Sequence, residues 1–138
     1  MKIDKFNLMA YFTEYNNLYF GGILPYPEFK IRKSYLTLGY FSCNYTSDYS
    51  LYNCVLEITN RYNFTEEQFR DIFVHEMIHY YLAYTGQDVK MGHGTAFKNF
   101  ANKLNEEYCL NITPTIDING FEMKPSFSIG YVVACILK

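Results

Sequence analysis

The chain has 138 residues, 49% of them apolar and 19% charged, with a formal net charge of −2 and a pI near 5.9. That length supports one domain with its own core, and the composition excludes an intrinsically disordered chain. The charge balance argues against a surface built to grip phosphate backbones; the one small basic cluster, Lys30, Arg32 and Lys33, reads as a solvated strand face.

The first predicted element is a helix over residues 4–20. Asp4 can cap it, and Leu8, Phe12, Tyr15 and Tyr19 recur at spacings of four, three and four, which places them on one face. Gly21 and Gly22 end it, and Pro25 and Pro27 prevent its continuation. Three strands follow: one in which Phe29 and Ile31 alternate with Lys30 and Arg32, one over YLTLGYF (35–41), and one over LYNCVLEIT (51–59). They are expected to pair antiparallel through short loops. TEEQ at 65–68 is a capping box, with Glu66 and Glu67 placed where a helix dipole favours negative charge. The helix it starts should run to about Thr85, with Gly86 just past its end, and it is apolar nearly all round, so it belongs in the middle of the domain. Another helix is predicted from about Thr95 to Tyr108, with Phe97, Phe100, Ala101 and Leu104 on one face. The tail returns to β structure through an Asn119-Gly120 hairpin signal and the apolar run 127–137. The order α, βββ, α, α, ββ is that of an α+β fold.

Fifteen tyrosines and twelve phenylalanines, with no tryptophan, predict a phenylalanine-rich core under a tyrosine rim. Cys43, Cys54, Cys109 and Cys135 form no C-x-x-C pair, so neither a zinc ribbon nor a thioredoxin-type motif is present. The charged N-terminal stretch has no signal-like apolar segment, which points to the cytoplasm and reduced thiols. The longest apolar run falls short of the roughly 20 residues a membrane span needs.

All three histidines of the chain, His75, His79 and His93, lie within nineteen positions. Residues four apart on a helix stack on one face, so His75 and His79 can converge on one ion, while Glu76 is rotated about 100° away and flanks them. H-E-x-x-H spaced in this way supplies two zinc ligands and a general base. Two imidazoles and a carboxylate on a buried helix also need partners, and a metal provides one for all three. A catalytic zinc requires a third protein ligand and an open fourth position. The metzincin positions beyond His79 hold Leu82 and Thr85, which excludes that class. His93, between Gly92 and Gly94, and the pair Glu106 and Glu107 on the next helix remain as third-ligand candidates. His93 is favoured, because a solvated helix face accounts for the two glutamates. Asp71, one turn before His75, can orient that imidazole or simply favour the start of its helix.

The opening helix with YNNLYFGGILP, the LGYF strand, ITN, HEMIHYYL and GHGTAF together resemble the SprT-like metallopeptidases, over most of the chain. The resemblance implies a compact zincin-like α+β domain spanning residues 1–138. It implies one catalytic Zn2+ on His75, His79 and His93, with Glu76 as the catalytic acid/base. It also implies a protein or peptide substrate, with DNA association by family analogy alone. Separately, no membrane partner is expected and the chain is expected to be a monomer. Many members carry a C-terminal zinc ribbon; here only Cys135 stands near the end, so no complete ribbon is expected. An extended peptide is expected to pair with an exposed edge of the strand 51–59. The alternative is a zinc-binding domain without proteolysis, whose structural metal would need a fourth protein ligand such as Cys43, Cys54, Cys109 or a carboxylate.

Overall fold

A computed structural model describes residues 2–125. The elements are α1 (Lys5–Tyr19), β1 (Glu28–Arg32), β2 (Gly39–Tyr45), β3 (Leu51–Thr59), β4 (Tyr62–Asn63), α2 (Glu66–Tyr84), α3 (Thr95–Tyr108) and β5 (Glu122–Met123). The fold is α+β, and two of its three strand pairings are antiparallel.

The helix termini follow their local sequence. The Asp4 carboxylate accepts from the Asn7 amide at 2.8 Å. Gly21 and Gly22 take φ of 64° and 69° to end α1, and buried Asn16 clamps Leu24 with two hydrogen bonds, at 2.9 and 3.2 Å. Thr65 and Gln68 close a reciprocal capping box at the start of α2. Gly86, at φ 75°, terminates that helix in the left-handed region.

α2 runs through the centre. Its residues from Ile72 to Tyr80 are all buried, which is why its apolar pattern shows no polar face. The sheet packs its inner face against it, with the rings of Phe41 and Tyr80 stacked at 4.8 Å. Phe12 of α1 joins Phe29 and Tyr80 from the side.

The sheet departs from the expected arrangement in three ways. Its order is β1-β3-β2, so the strand 51–59 is central and paired on both sides; it offers no free edge. β1 is parallel to β3, while β2 is antiparallel. The connection from β1 to β2 passes over the end of β3, where fully buried Thr59 pins it. The Thr59 amide donates to Leu38 O at 2.9 Å, its hydroxyl donates to Ser34 O, and the Asn60 amide donates to Arg32 O at 3.0 Å. Finally, the stretch 35–38 is not strand. The Ser34 hydroxyl accepts from the amides of Leu36 and Thr37, at 3.1 and 3.0 Å, and turns the chain, so β2 begins only at Gly39.

The Asn119-Gly120 turn forms, with the Phe121 amide donating to Ile118 O at 3.0 Å and Gly120 at φ 86°. It does not join a local hairpin, because β5 pairs back with β4 just ahead of α2. The apolar run 127–137 and Cys135 lie outside the described residues. Among the described residues no helix is long and apolar enough to cross a membrane.

Candidate metal centre

His75 and His79 project from the buried middle of α2, each 6% exposed. His93 comes from the loop between α2 and α3 and is exposed. Its Nε2 lies 3.1 Å from Nε2 of His75 and 3.0 Å from Nε2 of His79. A shared ion with bonds of about 2.0–2.1 Å places tetrahedral ligand nitrogens about 3.3 Å apart, close to what is seen. Among the described residues these three form the one cluster of His, Cys, Asp or Glu side chains able to hold a metal. Glu106 and Glu107 point into solvent on α3 and take no part. Cys43, Cys54 and Cys109 are likewise absent from the cluster.

The donors are in the form a cation requires. The Nδ1–H of His75 donates to the Thr113 carbonyl at 2.8 Å, which fixes the tautomer and leaves Nε2 with a free lone pair. Burial pushes the His75 imidazole down to about 4 and the His79 imidazole down to about 3, so both stay neutral at physiological pH. His79 Nδ1 is buried without a hydrogen-bond partner among the described residues. The donor set therefore fits zinc.

Asp71 does not orient His75. It pairs with its neighbour Arg70 at 3.1 Å, and the orienting acceptor is the backbone of Thr113. The residue before Thr113 is held in turn by α3: the Asn105 carboxamide donates to Ile112 O at 2.9 Å and accepts from the Ile112 amide at 2.8 Å. Phe97, also on α3 and fully buried, lies under all three imidazoles, with ring centroids 4.7 Å from His75 and 4.9 Å from both His79 and His93. The loop that carries His93 is shaped by Asp88, whose carboxylate accepts from the amides of Lys90 at 3.1 Å and Gly92 at 3.2 Å. Tyr45 at the end of β2 donates its hydroxyl to Val89 O in the same loop. None of these supports was evident in the sequence, although Asp88 two residues before Lys90 is a recognisable Asx-turn signal.

Glu76 is 7% exposed, and burial raises its carboxyl from an ordinary 4.5 to about 8. Its Oε2 lies 3.9 Å from His75 Nε2. Two clefts open on this point. One, of about 340 Å³, is lined by Gly39, Tyr40 and Phe41 of β2 and by Lys90, Met91 and the three histidines. The other, of about 240 Å³, is walled by Leu36, Leu38, Pro114, Ile116 and Ile118. Gly39, His75 and Glu76 line both, so the two clefts adjoin at the metal centre and together form a trough around it.

A buried helix presenting H-E-x-x-H, a third imidazole delivered by a loop and an open trough define a metallopeptidase-like α+β domain. The family model described as SprT-like matches residues 8–118, and the chain belongs to the SprT-like family. No curated protein matches it.

Proposed function

We propose that this protein is a zinc-dependent endopeptidase acting on protein or peptide chains. The observation that carries this reading is the convergence of three Nε2 atoms beside a buried glutamate, where two open clefts adjoin. His75, His79 and His93 would hold the ion, and zinc bound there supplies an acidified water and a polarised scissile carbonyl. Glu76 takes a proton at its carboxylate and later returns it to the departing amine. Among the described residues β2 is the terminal strand of its sheet, and it lines the trough, so an extended substrate would pair with its outer edge, replacing the edge of β3 expected from sequence. The arm bounded by Leu36, which is 92% exposed, with Pro114, Ile116 and Ile118 suits an apolar substrate side chain. The alternative of a structural zinc site is disfavoured because, among the described residues, no fourth side chain joins the three imidazoles. Association with DNA has only the family likeness in its support.

The test is metal content and cleavage of an unfolded protein substrate. Wild type should hold one zinc per chain and cleave. His93→Ala should lose most of the zinc. Glu76→Gln should keep the zinc and lose cleavage by roughly 10²–10⁴-fold. Zinc equal in wild type and His93→Ala would remove His93 from the metal, and undiminished cleavage by Glu76→Gln would end the proposed mechanism.

A further inference from the structure

Gly39 opens β2 directly opposite Ile58 of β3. Its φ lies outside the left-handed region, so no turn or strained backbone demands glycine there. A glycine in a sheet often marks a place where something approaches the backbone closely. Here that neighbour is Glu76. A Cβ added at position 39 would sit 3.0 Å from Glu76 Cγ, 3.1 Å from Glu76 Oε2 and 3.2 Å from Ile72 Cγ2. All three are closer than side chains tolerate without movement.

The backbone of β2 has little freedom to retreat. Gly39 is locked in register with Ile58, and Leu38 before it accepts the Thr59 amide at 2.9 Å and is itself buried. Ile72 is 1% exposed in the core. α2 is held by its capping box and by the Phe41–Tyr80 stack. The part able to yield is the glutamate side chain. We propose that Gly39 is a positioning residue for Glu76: the bare backbone at the head of β2 forms the wall that confines the carboxylate beside His75, and the missing side chain is the space the carboxylate occupies. The inference rests on the endopeptidase reading above for its catalytic consequence, but the packing it asserts is independent of activity.

Two measurements test it on the full chain. The first is a thermal-midpoint cycle of Gly39→Ala in the wild-type background and in Glu76→Ala, which removes two of the three close contacts. Gly39→Ala should lower the midpoint clearly in the first background and less than half as much in the second. Folding of Gly39→Ala only when Glu76 is also replaced would be the same result in stronger form. Equal shifts, or failure to fold in both backgrounds, would overturn the proposal. The second is kinetic. Gly39→Ala should retain one zinc per chain, lose roughly 10–100-fold in kcat through misplacement of the carboxylate, and keep KM within about twofold. An unchanged kcat, or a raised KM with kcat intact, would overturn the positioning role and leave Gly39 as part of the trough wall. Wild type that neither binds zinc nor cleaves would defeat the endopeptidase reading, while the midpoint cycle would still decide the contact.

Discussion

The metal centre is made of two unlike halves. His75 and His79 sit on a helix whose neighbours are buried on every side, from Ile72 to Tyr80. His93 sits on an exposed loop held by a handful of hydrogen bonds from Asp88 and Tyr45. The helical half is set by packing and exists before any metal arrives. The loop half is set by polar contacts, each worth about 0.5–1.5 kcal/mol, and gains most from an ion that ties it to the helix. Damage to the first half should therefore appear as lost fold, and damage to the second as lost metal.

Phe97→Ala should show the largest effect, because Phe97 is the floor shared by both halves. Removing a fully buried ring costs about 3–5 kcal/mol, so the variant should unfold at markedly lower denaturant with or without zinc. A loss seen only in the zinc-bound form would place Phe97 in the metal site alone and undo its role in the fold.

The next effect is on the helical half by itself, in protein stripped of metal. There Glu76 is protonated up to about pH 8 when folded and to its ordinary 4.5 when unfolded. The folded chain thus holds the extra proton between those values, and this group's contribution to stability falls as pH rises through them. The imidazoles act in the opposite sense: with pKa values lowered from 6.5 to about 4 and about 3, they cost stability as pH falls below 6.5. Glu76→Gln removes the first term and keeps the second. Chelated Glu76→Gln should match wild type near pH 4.5 and exceed it at pH 7 by on the order of 3 kcal/mol. Urea denaturation at both pH values checks this; an advantage that shrinks with rising pH would contradict the burial of a protonated Glu76.

Asn105→Ala reaches the helical half from outside. It frees Ile112 and, with it, the carbonyl of Thr113 that fixes the His75 tautomer. About 1–3 kcal/mol of stability should be lost for a partly buried two-bond clamp, together with weaker zinc binding by competition titration. Zinc affinity unchanged in a destabilised variant would show that Thr113 holds His75 without help from α3.

The two halves were also unequally legible in the sequence. α2 could be read because its signals are local: a capping box, an apolar run and two histidines four apart. His93 was reached because the chain offers no other histidine, although nothing local distinguishes its loop. What holds the site was hidden, since it consists largely of backbone groups. The acceptor for His75 is a carbonyl 38 positions away, and no residue type announces a carbonyl; Asp71, at the right helical spacing, was the visible but wrong candidate. Strand neighbours were hidden for a similar reason. Alternation identifies LYNCVLEIT as strand, but whether it is edge or centre depends on where the chain crosses at Ser34 and Thr59. Gly39 did carry a signal, a glycine beside Tyr40 and Phe41 in a strand-like stretch, and its meaning appears only when Glu76 is placed against it.

Asp88→Ala gives the smallest effect and the sharpest test of the contrast between halves. The carboxylate gathers the amides of Lys90 and Gly92 around Met91, which holds a φ of 53° that a non-glycine residue adopts only under constraint. Without it the loop should sample other shapes and present His93 for part of the time. Zinc affinity should then fall about tenfold, mainly through faster release, since the ion must wait for one ligand to return. The metal-free variant should keep its stability to within about 0.5 kcal/mol, because the loop contributes little to the core. Asp88→Asn, which retains one carbonyl oxygen as acceptor, should fall between the two. Equal destabilisation with and without zinc would mean that the loop is packed into the fold as firmly as the helix, and the division of the site into a preformed half and a metal-gathered half would fail.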